Sequence, residues 1–315
     1  MNNSTTTGAA ATDNFTLFEF LFYESSGVIG AIFNATVLYI ALRFINTEDK
    51  PRQIIVINMA MADFLMCIVY MLTRPYLKMS PIFLCHPYYV AIWTCQMSSC
   101  LNLVWLNVDK LIYIQFPLHY YQIVNRKRLL WLSAATWGGV IIFNVTLVNF
   151  LTAKASCTDV EFDPLLYILH PLFYVVMIII SFSLSALIYC IAHNLAHMEE
   201  RQRSKLFHRL FFLFSSTLWT FFTCLPYRGL YLLVLYCLPC RTPGIMLVTD
   251  IFFKILIVGI VINPVITIWT QRIYRLRLIR LFGKFQNNSS TEVLMASNRR
   301  TSDRPTEQQP LRCDV

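Results

Sequence analysis

Asp63, Arg74, Arg228, Asp250 and Lys254 interrupt stretches of sequence that are otherwise apolar, and Asp109-Lys110 closes another. An ionisable group inside an apolar run is expensive to desolvate, so each is read first as a functional residue. Asp63, in NMAMADFLM, sits near the middle of its run. It suits either a carboxylate satisfied by Asn and Ser of neighbouring helices or a cation or proton site that responds to conformation, and one network could serve both. Arg74, Arg228 and Lys254 are cations of the kind that grip a carboxylate, a phosphate or a peptide C-terminus. Arg74 and Lys254 equally suit snorkelling toward headgroups. Arg228 follows Pro226 by two residues and is the better candidate. The chain has no nucleophile–base set, metal box or phosphate loop, so catalysis is not expected.

The elements that must carry these groups follow from composition. Of 315 residues, 57% are hydrophobic and 14% charged, with a mean hydropathy of +0.54. Soluble domains run at about 45–50% and about 25%. The roughly 180 apolar residues suffice for seven spans of ~20. A soluble enzyme, a disordered chain and a small disulfide scaffold are excluded. Runs long enough to cross a bilayer fall at 18–43, 53–77, 82–115, 129–151, 164–192, 206–236 and 243–269. The fold class expected is an all-α membrane bundle of seven helices.

Charge sidedness orients it. With the N-terminus outside, the inner side holds Arg43, Lys50, Arg52, Lys110, Arg126, Lys127, Arg128, Arg201, Arg203, Lys205, Arg209, Arg272, Arg275, Arg277, Arg280 and Lys284. The outer loops hold only Lys78, Lys154 and Arg241. The net charge of +9 therefore belongs to the inner face and calls for no nucleic-acid partner. Asn2, Asn3 and Asn14 begin glycosylation triplets on the outer tail; those at Asn34, Asn144, Asn287 and Asn288 fall where no glycan can form.

Ten cysteines divide by location. Cys85, Cys157, Cys237 and Cys240 fall on the oxidising outer side, Cys67, Cys95, Cys100 and Cys224 lie at membrane depth, and Cys190 and Cys313 are inside. A bridge between the start of the third run and the second outer loop would tether that loop over the bundle. Cys237-Leu-Pro-Cys240 could close a small ring; its two ligands fall short of a zinc site.

Over essentially residues 18–285 the sequence resembles the rhodopsin-like (class A) G protein-coupled receptors. The resemblance is carried by Asn34, Asp63, Cys85 with Cys157, Asp109-Lys110-Leu111 followed by Pro117-Leu118, Trp137, Pro171, Pro226 and Asn263-Pro264, in the family's order and spacing. It implies a seven-helix bundle over 18–270, a glycosylated outer tail over 1–17, an amphipathic inner-leaflet helix over 271–284 and a disordered tail over 285–315. It implies a Cys85–Cys157 disulfide and an activation network of Asn34, Asp63, Ser99 and Asn263. That network suits an allosteric sodium ion, and no other cofactor is expected. It implies a G protein face at Asp109, Lys110, Pro117 and Leu118, and a switch at Cys224, Pro226 and Pro264. A heterotrimeric G protein, an extracellular ligand, the bilayer and a kinase or arrestin at Ser289, Ser290, Thr291, Thr301 and Ser302 are the partners so implied, at the plasma membrane.

Departures from the family pattern bear on activation. Lys110 stands for its arginine, Leu111 for a tyrosine, Cys224 for its tryptophan switch, Ile179 for a tyrosine after Pro171, and Thr267 for the tyrosine beyond Asn-Pro. High basal signalling and an unusual switch are both compatible with these changes. Ile92 occupies the place of the amine receptors' aspartate, which disfavours a monoamine ligand. Ile92, Trp93, Gln96 and Cys100 share an inward face at helical spacing, and Arg74, Arg228 and Lys254 are set to face the same cavity. A peptide or small anionic or lipid ligand is favoured. The rival readings are a chemosensory or non-signalling atypical receptor and, less well supported, a transporter or channel.

Overall fold

The computed structural model describes residues 16–79, 82–151, 164–194 and 200–281. Seven long helices make the bundle: α1 (Leu17–Phe44), α2 (Gln53–Leu65), α3 (Cys85–Gln115), α4 (Arg126–Leu151), α5 (Pro164–Asn194), α6 (Glu200–Tyr236) and α7 (Pro243–Thr270). A shorter helix, α8, comes after them over 272–281. Asn2, Asn3 and Asn14, Cys157, and the tail with its Ser and Thr residues lie outside the described residues.

Six of the helical segments are long and apolar enough to cross a membrane: Leu17–Phe44, Gln53–Met71, Arg126–Asn149, Ile168–His193, Phe214–Tyr236 and Pro243–Thr270. The exception is α3, and its place explains its composition. It packs against α2, α4, α5 and α6, whereas α1 closes on α2 and α7, so α3 runs through the interior. There its polar side chains face protein rather than lipid. Asn107 Nδ2 donates to Ser181 Oγ on α5 at 2.9 Å, and Thr94 Oγ1 accepts from Asn144 of α4 at 3.3 Å. Such interhelical bonds hold helices together where water-driven burial is weak. The outward faces carry exposed Ile142, Leu172, Ile179, Leu247 and Ile251, as lipid contact requires.

Helix starts are written locally. Thr16 caps α1 in a reciprocal box with Glu19, and Thr242 caps α7 ahead of Pro243 at its first turn. Close approach is written by glycine. A Cβ at Gly30 would lie 2.6 Å from Cys67 Sγ and 3.2 Å from Val261 Cγ2, so α1 meets α2 and α7 nearly backbone to side chain.

The expected span at 53–77 is not one regular helix. It is α-helical to Leu65, π-helical over Met66–Met71, and 3-10 helical over Arg74–Met79. The wide turn sets Cys67 and Met71 against the small residues of α1, with Met71 Cβ 3.2 Å from a Cβ at Gly27. The sixth helix begins earlier than the expected 206, at Glu200.

Candidate functional site

Two polar places lie along the bundle's interior, joined by a narrow cavity of about 70 Å³. One end is cationic. Arg228, 8% exposed, is carried by α6 two residues past Pro226. Its Nη2 donates to Gln96 Oε1 at 2.7 Å, and its guanidinium lies 4.0 Å from the Tyr174 ring centroid and 5.2 Å from that of Tyr227. Tyr174 also donates to Gln96 Oε1 at 3.3 Å and packs edge-on to His170. No carboxylate pairs with Arg228 among the described residues. A desolvated guanidinium held only by an amide and two rings keeps donor capacity for an incoming anion.

The other end is anionic. Asp63, 3% exposed, accepts from Ser99 Oγ at 2.7 Å and from Asn263 Nδ2 at 3.0 Å. Both donors are neutral. Asn263 Oδ1 is buried without a hydrogen-bond partner in the same cavity wall. Between the two ends lie Cys100, Cys224 and Trp219. Trp219 Nε1 donates to the Gly259 carbonyl of α7 at 3.2 Å, and Thr223 Oγ1 bonds back to the Trp219 carbonyl at 2.8 Å.

Of the pocket candidates, Gln96 and Arg228 line this cavity; Arg74, Ile92, Trp93 and Lys254 do not. Each exclusion has a cause. Arg74 stacks over Tyr23 and Tyr70, 5.6 and 5.4 Å from their centroids, on the α1 side. Lys254 is neutralised by Asp250 at 2.7 Å and Glu19 at 3.9 Å. Trp93 lies 4.5 Å from the His170 ring, and Ile92 packs with it in a core shared with Tyr70 and Ile257. Asn34 is not among the hydrogen-bond partners of Asp63: its Nδ2 donates to Gly30 O at 3.0 Å, one turn back on its own helix.

At the C-terminal end of α3, Asp109 binds two donors, Lys110 Nζ at 2.7 Å and Tyr120 OH at 2.6 Å. All three are buried. Tyr120 opens a one-turn helix, Tyr120–Ile123, after the exposed Pro117 and Leu118, the latter 91% exposed. Burial, reinforced by the Asp109 carboxylate, pushes the Tyr120 phenol above its ordinary range and keeps it a donor. Lys110 thus has an acid of its own helix and needs none from α6.

Cys237 and Cys240 form a disulfide that closes the loop before α7, and Cys85 is disulfide-bonded. Cys67, Cys95, Cys100 and Cys224 are free thiols within the bundle. Pro226 and Pro264 lie inside α6 and α7 beside the cavity, where each removes a backbone donor. Tyr174, His170, Trp219 and Tyr120 were not among the residues expected from sequence. A hint lay in His170 and Tyr174, four residues apart around Pro171 on an otherwise aliphatic helix.

Long apolar helices wrapped round a polar one, with buried charges at its heart, define a multi-pass membrane protein that keeps its chemistry inside the bundle. No protein-family model matches the chain. It is 70% identical over 306 residues to the G-protein coupled receptor aex-2 of Caenorhabditis elegans, covering 96% of this chain and 95% of that protein. The chain belongs to the G protein-coupled receptors, a receptor family without enzymatic activity.

Proposed function

We propose that the chain is a plasma-membrane receptor of the rhodopsin-like class, with its N-terminus outside, that turns binding of an extracellular anionic ligand into activation of a heterotrimeric G protein. The ligand is a peptide or a small anionic or lipid molecule rather than a monoamine. One observation carries this: Arg228 is a buried guanidinium with no carboxylate among the described residues, set at the wall of the interior cavity. In this reading α3 is the seventh span, sheltered by its neighbours. The exposed Leu276 and Ile279 of α8 rest on the inner leaflet while Tyr274 anchors that helix to α2.

The relay runs through α6. A ligand anion that takes donors of Arg228 competes with Gln96 and Tyr174 for it and biases α6 to move. The Trp219–Gly259 bond couples that movement to α7, in the region where the family keeps its tryptophan switch and this chain has Cys224. At the inner end Lys110, released from Asp109, meets the G protein beside Pro117 and Leu118. GTP exchange in membranes from cells expressing the chain tests this. Ligand-dependent exchange is expected with anionic peptides or lipids. A receptor that binds them at the surface yet drives no exchange would leave the non-signalling alternative standing.

Asp63, Ser99 and Asn263 fit a sodium ion. They offer a buried carboxylate whose charge no described cation offsets, a hydroxyl, and the unpartnered Asn263 Oδ1. Bound there, sodium would compensate the carboxylate. Sodium against choline is expected to raise the melting temperature of the purified receptor, at roughly 2–4 °C for each kcal/mol of binding. Asp63→Asn removes the charge at nearly unchanged side-chain size and should abolish that shift; a shift that survives the substitution places the ion elsewhere.

A further inference from the structure

The cavity that joins Arg228 to Asp63 limits what an acid bound at Arg228 can carry. Its volume of about 70 Å³ has room for roughly five to seven water-sized groups, at about 10–15 Å³ each. The walls between its polar ends include Cys100 and Leu103 of α3, Ile178 of α5, Cys224 of α6 and Leu256 of α7. Both cysteines are free thiols, and a buried free thiol packs as a small hydrophobe. The room depends on one of them. Cys224 stands where the resemblance puts a tryptophan, one turn before Arg228 on α6. An indole at that position would take up most of the space now open.

Charge sets the direction in which a ligand lies. Arg228 pairs with no carboxylate among the described residues, whereas the far end holds the Asp63 carboxylate, bonded to the neutral Ser99 and Asn263. A ligand acid is attracted to the first and repelled by the second, so the group next to the acid points down the chamber. An apolar group there is buried against Cys100, Leu103 and Ile178. Once it is long enough to reach Asp63 it desolvates a carboxylate and its bonded partners, which is unfavourable. Affinity should rise with length and then stop rising.

We infer that the chamber is a subsite for a short apolar group, about four to six heavy atoms long, attached to the acid that Arg228 binds, and that Cys224 sets its depth. This rests on the reading of Arg228 as the ligand's anion site, and it narrows the ligand: an acyl chain of membrane-lipid length does not fit. Two sources carry the chemistry, a short unbranched fatty acid and the C-terminal residue of a peptide.

A ladder of unbranched carboxylates from acetate to octanoate, added to the purified full-length receptor, tests this, with melting temperature read against concentration. Affinity is expected to rise about fourfold for each methylene buried, as far as pentanoate or hexanoate, and to level or fall at octanoate. The matching alkanols read partition into detergent and should show no such optimum. Cys224→Trp should flatten the ladder to the level of acetate. Cys224→Leu, a smaller change, should move the optimum to shorter acids, and Cys224→Ser, close to cysteine in size, should leave it in place. The ligand-free melting temperature shows which variants have folded. N-acetyl-L-norleucine and its D enantiomer separate the sources: preference for the L form over both the D form and hexanoate assigns a peptide C-terminus, and hexanoate at or above the L form assigns a fatty acid. Affinity independent of length, or an optimum that stays in place in folded Cys224→Trp and Cys224→Leu, overturns the subsite. If acids still stabilise the receptor and Arg228→Gln removes that effect, the anion site stands without the subsite; if no acid stabilises it, both fall.

Discussion

Arg228→Ala is expected to lower the potency of an anionic agonist by about a hundredfold or more while surface expression stays at the wild-type level. The size reflects the interaction lost. Truncating one member of a buried, hydrogen-bonded charge pair costs about 2–5 kcal/mol, because the ligand anion is left desolvated and unpaired. At about 1.4 kcal/mol per tenfold, that is a factor from tens to thousands. The expression half of the expectation comes from the free receptor. There Arg228 is a buried charge without a carboxylate among the described residues, so removing it relieves a desolvation cost and surrenders one bond to Gln96 and a ring contact with Tyr174. Arg228→Lys keeps the charge but loses the fork and most of the stacking on Tyr174, and should fall between wild type and alanine. Unchanged potency in the alanine variant, measured beside normal surface density, would mean that the ligand's anion is bound elsewhere or that it has none.

The Asp109–Lys110 end of α3 should respond in two opposite directions. Asp109→Asn removes the acid bound to Lys110 among the described residues, and Lys110 is 5% exposed. An ammonium left buried and uncompensated costs the resting arrangement a few kcal/mol. Of that, about 1.4 kcal/mol spent on the resting-to-active balance gives tenfold more active receptor. Ligand-free GTP exchange should therefore rise severalfold to about tenfold. Lys110→Ala leaves Asp109 with Tyr120 and removes the cation itself, so exchange should fall to background with or without ligand. Tyr120→Phe, which deletes only the 2.6 Å bond to Asp109, should raise basal exchange less than Asp109→Asn does. If both Asp109→Asn and Lys110→Ala lower exchange equally at equal surface density, the pair is a structural fixture and the G protein contact lies in the loop around Pro117.

The helices were legible because each apolar run exceeds a bilayer's thickness and ends at charge or proline. The cationic loops between the runs supplied the punctuation, whereas the caps Thr16 and Thr242 emerged only with the structure. That Asp63 meets an Asn and a Ser was legible from the cost of burying it, but which Asn and Ser came only through the resemblance, since three helices supply them. For Arg74 the local backbone decides which side chains it meets, and no spacing argument contains that. Between Asp63 and Arg74 the backbone widens to a π-helix, and each extra residue per turn swings the later residues of the span by about 100° around the axis. That rotation leaves Arg74 over the rings of Tyr23 and Tyr70. Lys254 was half legible: Asp250 stands one turn away in sequence, whereas Glu19 arrives only when α1 packs on α7. Trp219, Tyr174 and His170 were hidden by their company, because an aromatic ring in an apolar span has the signature of packing until its polar atom is seen to be bonded.

The bond from Trp219 to Gly259 has a bearing on which substitutions this chain can accept. Its acceptor is a backbone carbonyl, so no side chain at position 259 takes part in it. Yet a Cβ there would lie 3.0 Å from Thr223 Oγ1 and 3.1 Å from Thr223 Cβ, against the very turn that Thr223 ties to Trp219. Even the smallest added side chain requires Thr223 to give way at the point where the two helices are joined. Position 259 should therefore rank among the least permissive in a saturation screen scored for signalling, though it offers no functional group of its own.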